Sequence, residues 1–153
     1  VKYRIITVGK IRERYIAAAL DDFRTRLRRY VPLEEIEIAP SRGDRPEIAV
    51  REEGERILAR IASNDTVWLL ERSGDAFSSV ELAERLAEVD CSGIARLTLV
   101  VAGTYGTDAA LRARANLAWS LGPLTFLHEW ARAIVLEQLY RAAKIARNEP
   151  YHH

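Results

Sequence analysis

The chain has 153 residues, 48% of them hydrophobic, with one cysteine and a formal net charge of +1. That length suits one domain with a real core and is short for two, so residues 1–153 are read as a single domain. No apolar run reaches the roughly 18 residues of a membrane-spanning helix, and a lone Cys91 leaves neither an internal disulfide nor a thiolate cluster for a metal.

Elements alternate along the chain. Lys2 to Val8 alternates like a strand, without the layout of a signal peptide, and stops at Gly9. A helix is expected from about residue 12, with Ile16, Ala19, Leu20, Phe23 and Leu27 on one face. Residues 35–39 read as a second strand. The stretch 40–46 is a loop in which Asp44 is placed to cap a helix that opens on Pro46 and Glu47. That helix sets Val50, Gly54, Ile57, Leu58 and Ile61 on its apolar face. Residues 66–70 form a strand-length apolar run. Ser78 and Glu81 make a capping box for a helix carrying Leu82, Leu86 and Val89. Residues 97–101 are apolar on both faces, as buried parallel strands are. They run into Ala102-Gly103-Thr104-Tyr105-Gly106 and a helix capped by Thr107. After 119–126 comes a long helix over about 129–147, with Ala131, Val135, Leu139, Ala142 and Ala146 in register. Strands separated by helices imply an α/β fold with a largely parallel sheet flanked by helices.

The charge is uneven. Residues 1–30 hold nine Lys or Arg against three acids, 34–90 hold fifteen acids against seven, and 112–153 hold six Lys or Arg against three acids. An anionic partner touching one side, or ordinary solvated helix faces, both account for this layout. Three segments carry candidate chemistry. Gly103 and Gly106 lie where open α/β sheets bind ligands, though a tight strand-to-helix turn requires the same residues. The Gly122-Pro123 pair interrupts an apolar run from Leu121 to Phe126 and frees main-chain groups, either for an adenine edge or for a simple turn. The last helix carries His128, Arg132, Glu137 and Arg141. The final pair stands at i, i+4 in the favourable order, and Arg132, Leu136 and Tyr140 form a stripe suited to a subunit interface or to a site. Tyr151-His152-His153 can stack on or hydrogen-bond a base. No Ser-His-Asp order, HExxH, Walker loop or zinc spacing is present. The chain is read as cytoplasmic, reduced and metal-free.

His128-x-x-x-Arg132, Glu137-Gln138-Leu139-Tyr140-Arg141-Ala142 and Pro150-Tyr151-His152 together resemble the ribosomal large-subunit pseudouridine N3-methyltransferases, the RlmH family of the SPOUT class. Val8-Gly9-Lys10, Glu53-Gly54-Glu55, Leu70-Glu71 with Gly74, and Trp119-Ser120-Leu121 before Leu124-Thr125-Phe126 extend the resemblance over essentially the whole chain. It implies a SPOUT-type α/β knot with a C-terminal trefoil, a homodimer, and S-adenosyl-L-methionine held mainly by main chain. The implied cofactor contacts are Leu70, Ala102, Gly103, Leu121, Gly122, Pro123, Leu124, Thr125 and Phe126.

The implied reaction is methyl transfer to N3 of a pseudouridine in large-subunit rRNA of the assembled ribosome. His152 is the candidate proton acceptor and Tyr151 positions the ring. Arg132 and Arg141 hold phosphate or offset negative charge developing on the uracil oxygens, and His128 and Glu137 are further catalytic or substrate-positioning candidates. Lys10, Arg12, Arg24 and Arg28 are candidate phosphate contacts. The chain departs from the family at Ala102 (usually glycine), Leu127 (commonly proline) and His153 (often basic). Ala102 keeps open a second reading, a non-catalytic RNA- or ribosome-binding module with the same fold.

Overall fold

The computed structural model describes residues 1–153. Five strands form one sheet: β1 (Lys2–Val8), β2 (Leu33–Ile38), β3 (Thr66–Ala76), β4 (Arg96–Val101) and β5 (Leu117–Ser120). Their order is β2-β1-β4-β3-β5 and every pairing is parallel. Parallel neighbours need crossovers, and helices supply them. These are α1 (Arg14–Leu27), α2 (Pro46–Leu58), α3 (Ser79–Cys91) and α4 (Ala109–Arg114), with α5 (His128–Ala146) closing the chain.

Strand periodicity sorts the core into two layers. Tyr3, Ile5, Trp68, Leu97, Leu99 and Val101 face α1, α3 and α5. Ile6, Val8, Val67, Leu69 and Val100 face Ile57 of α2 and Leu111 of α4. A sheet buried on both faces explains why β4 reads as an unbroken apolar run.

The structure moves four local features. The N-cap of α2 is Arg45, without a side-chain cap, and not Asp44. Pro46 opens the helix instead, because its fixed φ suits the first turn and it lacks one of the N–H groups that need capping. The buried face of α2 is Ala49, Glu53, Gly54 and Ile57, one residue round from the expected stripe, and Ile61 lies beyond the helix end. Asp108, rather than Thr107, caps α4 by accepting from the Leu111 amide. The Thr107 hydroxyl instead donates to Glu71 Oε2 at 2.6 Å.

The strand β5 was not foreseen, and β3 runs six residues past the expected end. Its register against β5 shifts between Leu70 and Asp75. Gly74 makes this pairing possible, since a Cβ there would sit 2.4 Å from the Ala118 carbonyl oxygen. The irregular stretch projects Glu71 and Arg72 over the carboxyl end of the sheet, toward the site.

Candidate functional site

The helices that follow β1 and β4 leave on opposite faces of the sheet, which opens a crevice at the carboxyl ends of these adjacent strands. Two cavities occupy it. The first, of about 790 Å³, is lined by Leu70, Ala102, Gly103, Leu121, Gly122, Leu124, Thr125, Phe126 and His128. All the expected cofactor residues except Pro123 therefore line one space, although they come from three separate parts of the chain. The second, of about 1270 Å³, lies over the ends of β1 and β2 and shares Gly103, Thr104, Tyr105, Leu127 and His128 with the first.

The wall at 121–127 is irregular but pinned. Gly122 has φ +111°, a conformation that L side chains rarely adopt. Its amide donates to Ser120 Oγ at 3.0 Å, and Arg72 Nη1 donates to Thr125 Oγ1 at 2.8 Å. The main-chain N–H groups of Leu124, Thr125, Phe126 and Leu127 have no acceptor within the chain, and Leu124 is 70% exposed. A fixed loop with free amides above an apolar floor can read the hydrogen-bonding edge of a purine by main chain alone.

Ala102 does not have positive φ, so its methyl group costs no backbone strain. Leu127 is the N-cap of α5 with φ −55°, within the range proline would impose. The entry to α5 therefore keeps the shape of the family's common residue.

Helix α5 carries two polar clusters with different roles. Near its start, Arg132 is 6% exposed and donates to the Gly9 carbonyl at 2.9 Å and to Glu37 Oε1 at 3.0 Å. Glu129 accepts the Arg12 main-chain amide. These groups fasten α5 to the ends of β1 and β2. Arg132, Leu136 and Tyr140 are all buried within the chain, so the stripe packs inward and is not a free subunit interface.

Two turns further along, Glu137 Oε1 accepts from Arg141 Nε at 3.0 Å and from the Tyr151 hydroxyl at 3.0 Å. Arg141 Nη1 lies 3.2 Å from His152 Nδ1, and its guanidinium carbon stands 4.6 Å from the Tyr151 ring centre. Burial, then the hydrogen bond to Glu137, raises the Tyr151 phenol above its usual pKa. The tail is folded back on α5, yet Arg141 is thirteen residues from His128. At about 1.5 Å per residue that is roughly 20 Å along the helix. Within one chain, Tyr151 and His152 do not reach the first cavity.

Of the expected phosphate contacts, Arg24 is engaged by Glu35 and Asp21, whereas Lys10, Arg12 and Arg28 are exposed side chains. Two groups at the site, Arg72 and Glu53, have no role assigned from the sequence, although Glu53 belongs to one of the motifs that carry the resemblance. Arg72 follows an apolar strand and looks like an ordinary surface charge. Glu53 carried a legible signal, an acid between Ala49 and Ile57 on the apolar side of α2. No helix is long and apolar enough to cross a membrane, and no group of three or more His, Cys, Asp or Glu side chains is placed to hold a metal ion.

A parallel sheet whose carboxyl-end crevice offers main-chain donors over apolar side chains defines an α/β protein with a crevice suited to a small ligand. More specifically, the chain belongs to the SPOUT methyltransferase family, whose model, described as "Predicted SPOUT methyltransferase", it matches over residues 1–152. It is 42% identical over 153 residues to the "Ribosomal RNA large subunit methyltransferase H" of Pelobacter propionicus, covering all of both chains. Proteins of the same name from Bifidobacterium animalis subsp. lactis and Natranaerobius thermophilus are 39% identical (97% of each chain) and 36% identical (all of both chains).

Proposed function

We propose that this protein is an rRNA methyltransferase that moves a methyl group from S-adenosyl-L-methionine to N3 of a pseudouridine in large-subunit rRNA. It does so on the assembled ribosome, as a cytoplasmic homodimer with the trefoil knot of its class. The observation that carries the reading is the convergence of residues 70, 102–103 and 121–126 on one cavity edged by free main-chain amides. The full-length similarity to proteins named for large-subunit rRNA methylation directs the choice of substrate.

The cavity fits the cofactor: the free amides of Leu124, Thr125 and Phe126 are available to the adenine edge, and Leu70 with Gly103 also line the space. When bound, the cofactor would supply an electrophilic methyl group on a sulfonium, and the N3 proton of the target base would pass to a side chain of this protein. His152 is assigned that proton, with Tyr151 positioning the ring. Glu137 and Arg141 hold both by the contacts described above. Because the tail of one chain lies far from its own cavity, the tail acting there is assigned to the second subunit. Most of the rate then comes from alignment of N3 with the methyl group.

Lys10, Arg12 and Arg28 supply phosphate contacts, so ribosome binding weakens steeply with added salt. The deciding experiment is transfer of labelled methyl to ribosomes lacking the modification. Incorporation at a single pseudouridine is expected, and none would defeat the proposal. A non-catalytic module would give no calorimetric heat with S-adenosyl-L-methionine, whereas the enzyme is expected to bind it.

A further inference from the structure

The second cavity contains a carboxylate with an unfilled role. Glu53 projects from the buried side of α2 and is only 7% exposed, yet it lines this cavity. One oxygen, Oε2, accepts the Ser41 amide at 2.9 Å, which fixes the carboxylate plane. The other, Oε1, receives no hydrogen bond from the protein. It stands against Gly103, where a Cβ would come within 2.7 Å of it. A carboxylate is an acceptor only, and the unpartnered oxygen of this one, on a nearly buried residue that lines a cavity, still has accessible surface at which to receive a donor. Lys10 and Arg12 line this cavity too, and Glu37 and Glu129 are already engaged by Arg132 and by the Arg12 amide, so the cavity can take a nucleotide whose phosphate meets the cations while an N–H of its base meets Glu53.

Gly103 borders both cavities, so whatever Glu53 holds lies beside the cofactor. This inference rests on the function proposed above. In uridine, N1 carries the ribose; in pseudouridine the ribose is on C5, and N1 keeps a hydrogen. N1–H is thus the group that marks the modified base. N1 and N3 flank the same carbonyl carbon, so a ring held by N1–H from the second cavity can turn N3 toward the first. We infer that Glu53 is the specificity-determining residue of this enzyme, accepting the N1–H of the target pseudouridine at Oε1 and so selecting it over uridine.

The test compares ribosomes carrying pseudouridine with ribosomes carrying uridine at the target, the latter from cells lacking the isomerising enzyme. The ratio of kcat/KM is measured for the wild type and for Glu53→Gln. An amide that keeps its oxygen toward the Ser41 N–H must present NH₂ to the ring, donor against donor. The wild type is expected to prefer pseudouridine by on the order of 100-fold or more, since a site built for an N–H rejects a base without it. In Glu53→Gln the ratio is expected to fall below about tenfold through loss on the pseudouridine substrate, with S-adenosyl-L-methionine affinity by calorimetry within about threefold.

A ratio preserved in Glu53→Gln, or a wild type that methylates both ribosomes equally, overturns the inference while leaving the methyltransferase reading intact. A loss of cofactor affinity beyond about tenfold also overturns it, because the carboxylate then holds the cofactor's ammonium group. Wild-type failure on both ribosomes removes the proposed function itself. Should Glu53→Gln not fold, Glu53→Asp keeps the charge but withdraws the oxygen, and its ratio is expected to fall between the two; an unchanged ratio counts against the assignment.

Discussion

The two ends of the same parallel sheet are built on opposite principles. At the amino ends of the strands, polar groups are paired with one another. Asp65, its side chain 1% exposed, accepts from Arg96 Nε at 2.7 Å, Thr98 Oγ1 at 3.0 Å and the Ala62 amide at 3.0 Å. Arg114 closes the corner on the Ala62 and Asp65 carbonyls, both at 2.9 Å, and Asn116 exchanges hydrogen bonds with Val67. At the carboxyl ends, four consecutive amides and one oxygen of Glu53 have no protein partner, and Leu124 and Leu127 face solvent. Leaving such groups unpaired costs stability. The fold concentrates that cost where a ligand can recover it and holds the strands together from the other side.

Four changes should break or sharpen this contrast, in order of expected effect. Removing residues 151–153 should lower methyl transfer by about 10³-fold or more while cofactor affinity stays within about threefold. Equal turnover by the shortened chain would take the tail out of the mechanism. At the opposite end, Asp65→Ala should cost about 3 kcal/mol, a Tm fall of roughly 6–12 °C, because it strips a buried ion pair of one partner. Its cofactor affinity should be unchanged at temperatures where the protein is folded. A loss of binding as large as the loss of stability would mean that the two ends are not separable.

Acid should erase part of that difference. Burial alone would push the Asp65 carboxyl upward, but the Arg96 guanidinium, the Ala62 amide and the Thr98 hydroxyl outweigh it and hold the pKa below the ordinary carboxylate range. A group depressed in the folded state stabilises above its unfolded pKa and loses that contribution as pH falls through its folded value. The stability gap between wild type and Asp65→Ala should therefore narrow from about pH 5 toward pH 3 and below, measured by denaturant unfolding at each pH. A gap independent of pH would show that packing, not charge, sets the Asp65 effect.

Gly122→Ala should act at the carboxyl end only. Forcing an alanine to φ +111° costs about 1–2 kcal/mol, which calorimetry should register as roughly tenfold weaker cofactor binding if the loop shifts to relieve it. Arg72→Ala should have the mildest effect, about threefold in cofactor affinity, since it removes one exposed hydrogen bond from the loop. A larger loss would make Arg72 a direct ligand contact rather than a brace.

Much of the scaffold was legible because its periods are strong. The strands β1 and β4, the capping box of α3 and the length of α5 all follow from alternation, cap chemistry and helical spacing. The four residues of β5 escaped because Leu117-Ala118-Trp119-Ser120 is too short to show a period, and its pairing depends on Gly74, more than forty residues earlier. The caps of α2 and α4 were each misplaced by one residue, since Asp44-Arg45 and Thr107-Asp108 offer neighbouring candidates and only the path of the preceding loop decides between them. The resemblance placed the cofactor residues on a family's motif, but it did not locate the tail relative to the cavity.

By itself, the order of residues determined the class of fold, the two apolar faces of the sheet and the family, because periodicity and motif order are local properties of a chain. Tertiary structure alone decided that Arg24 is committed to Glu35 and Arg132 to Gly9 and Glu37, that the tail rests on Glu137, and that Glu53 turns one oxygen toward Gly103. Whether a charged group is free or engaged depends on what stands opposite it in space, and those partners lie up to 123 residues away in the chain.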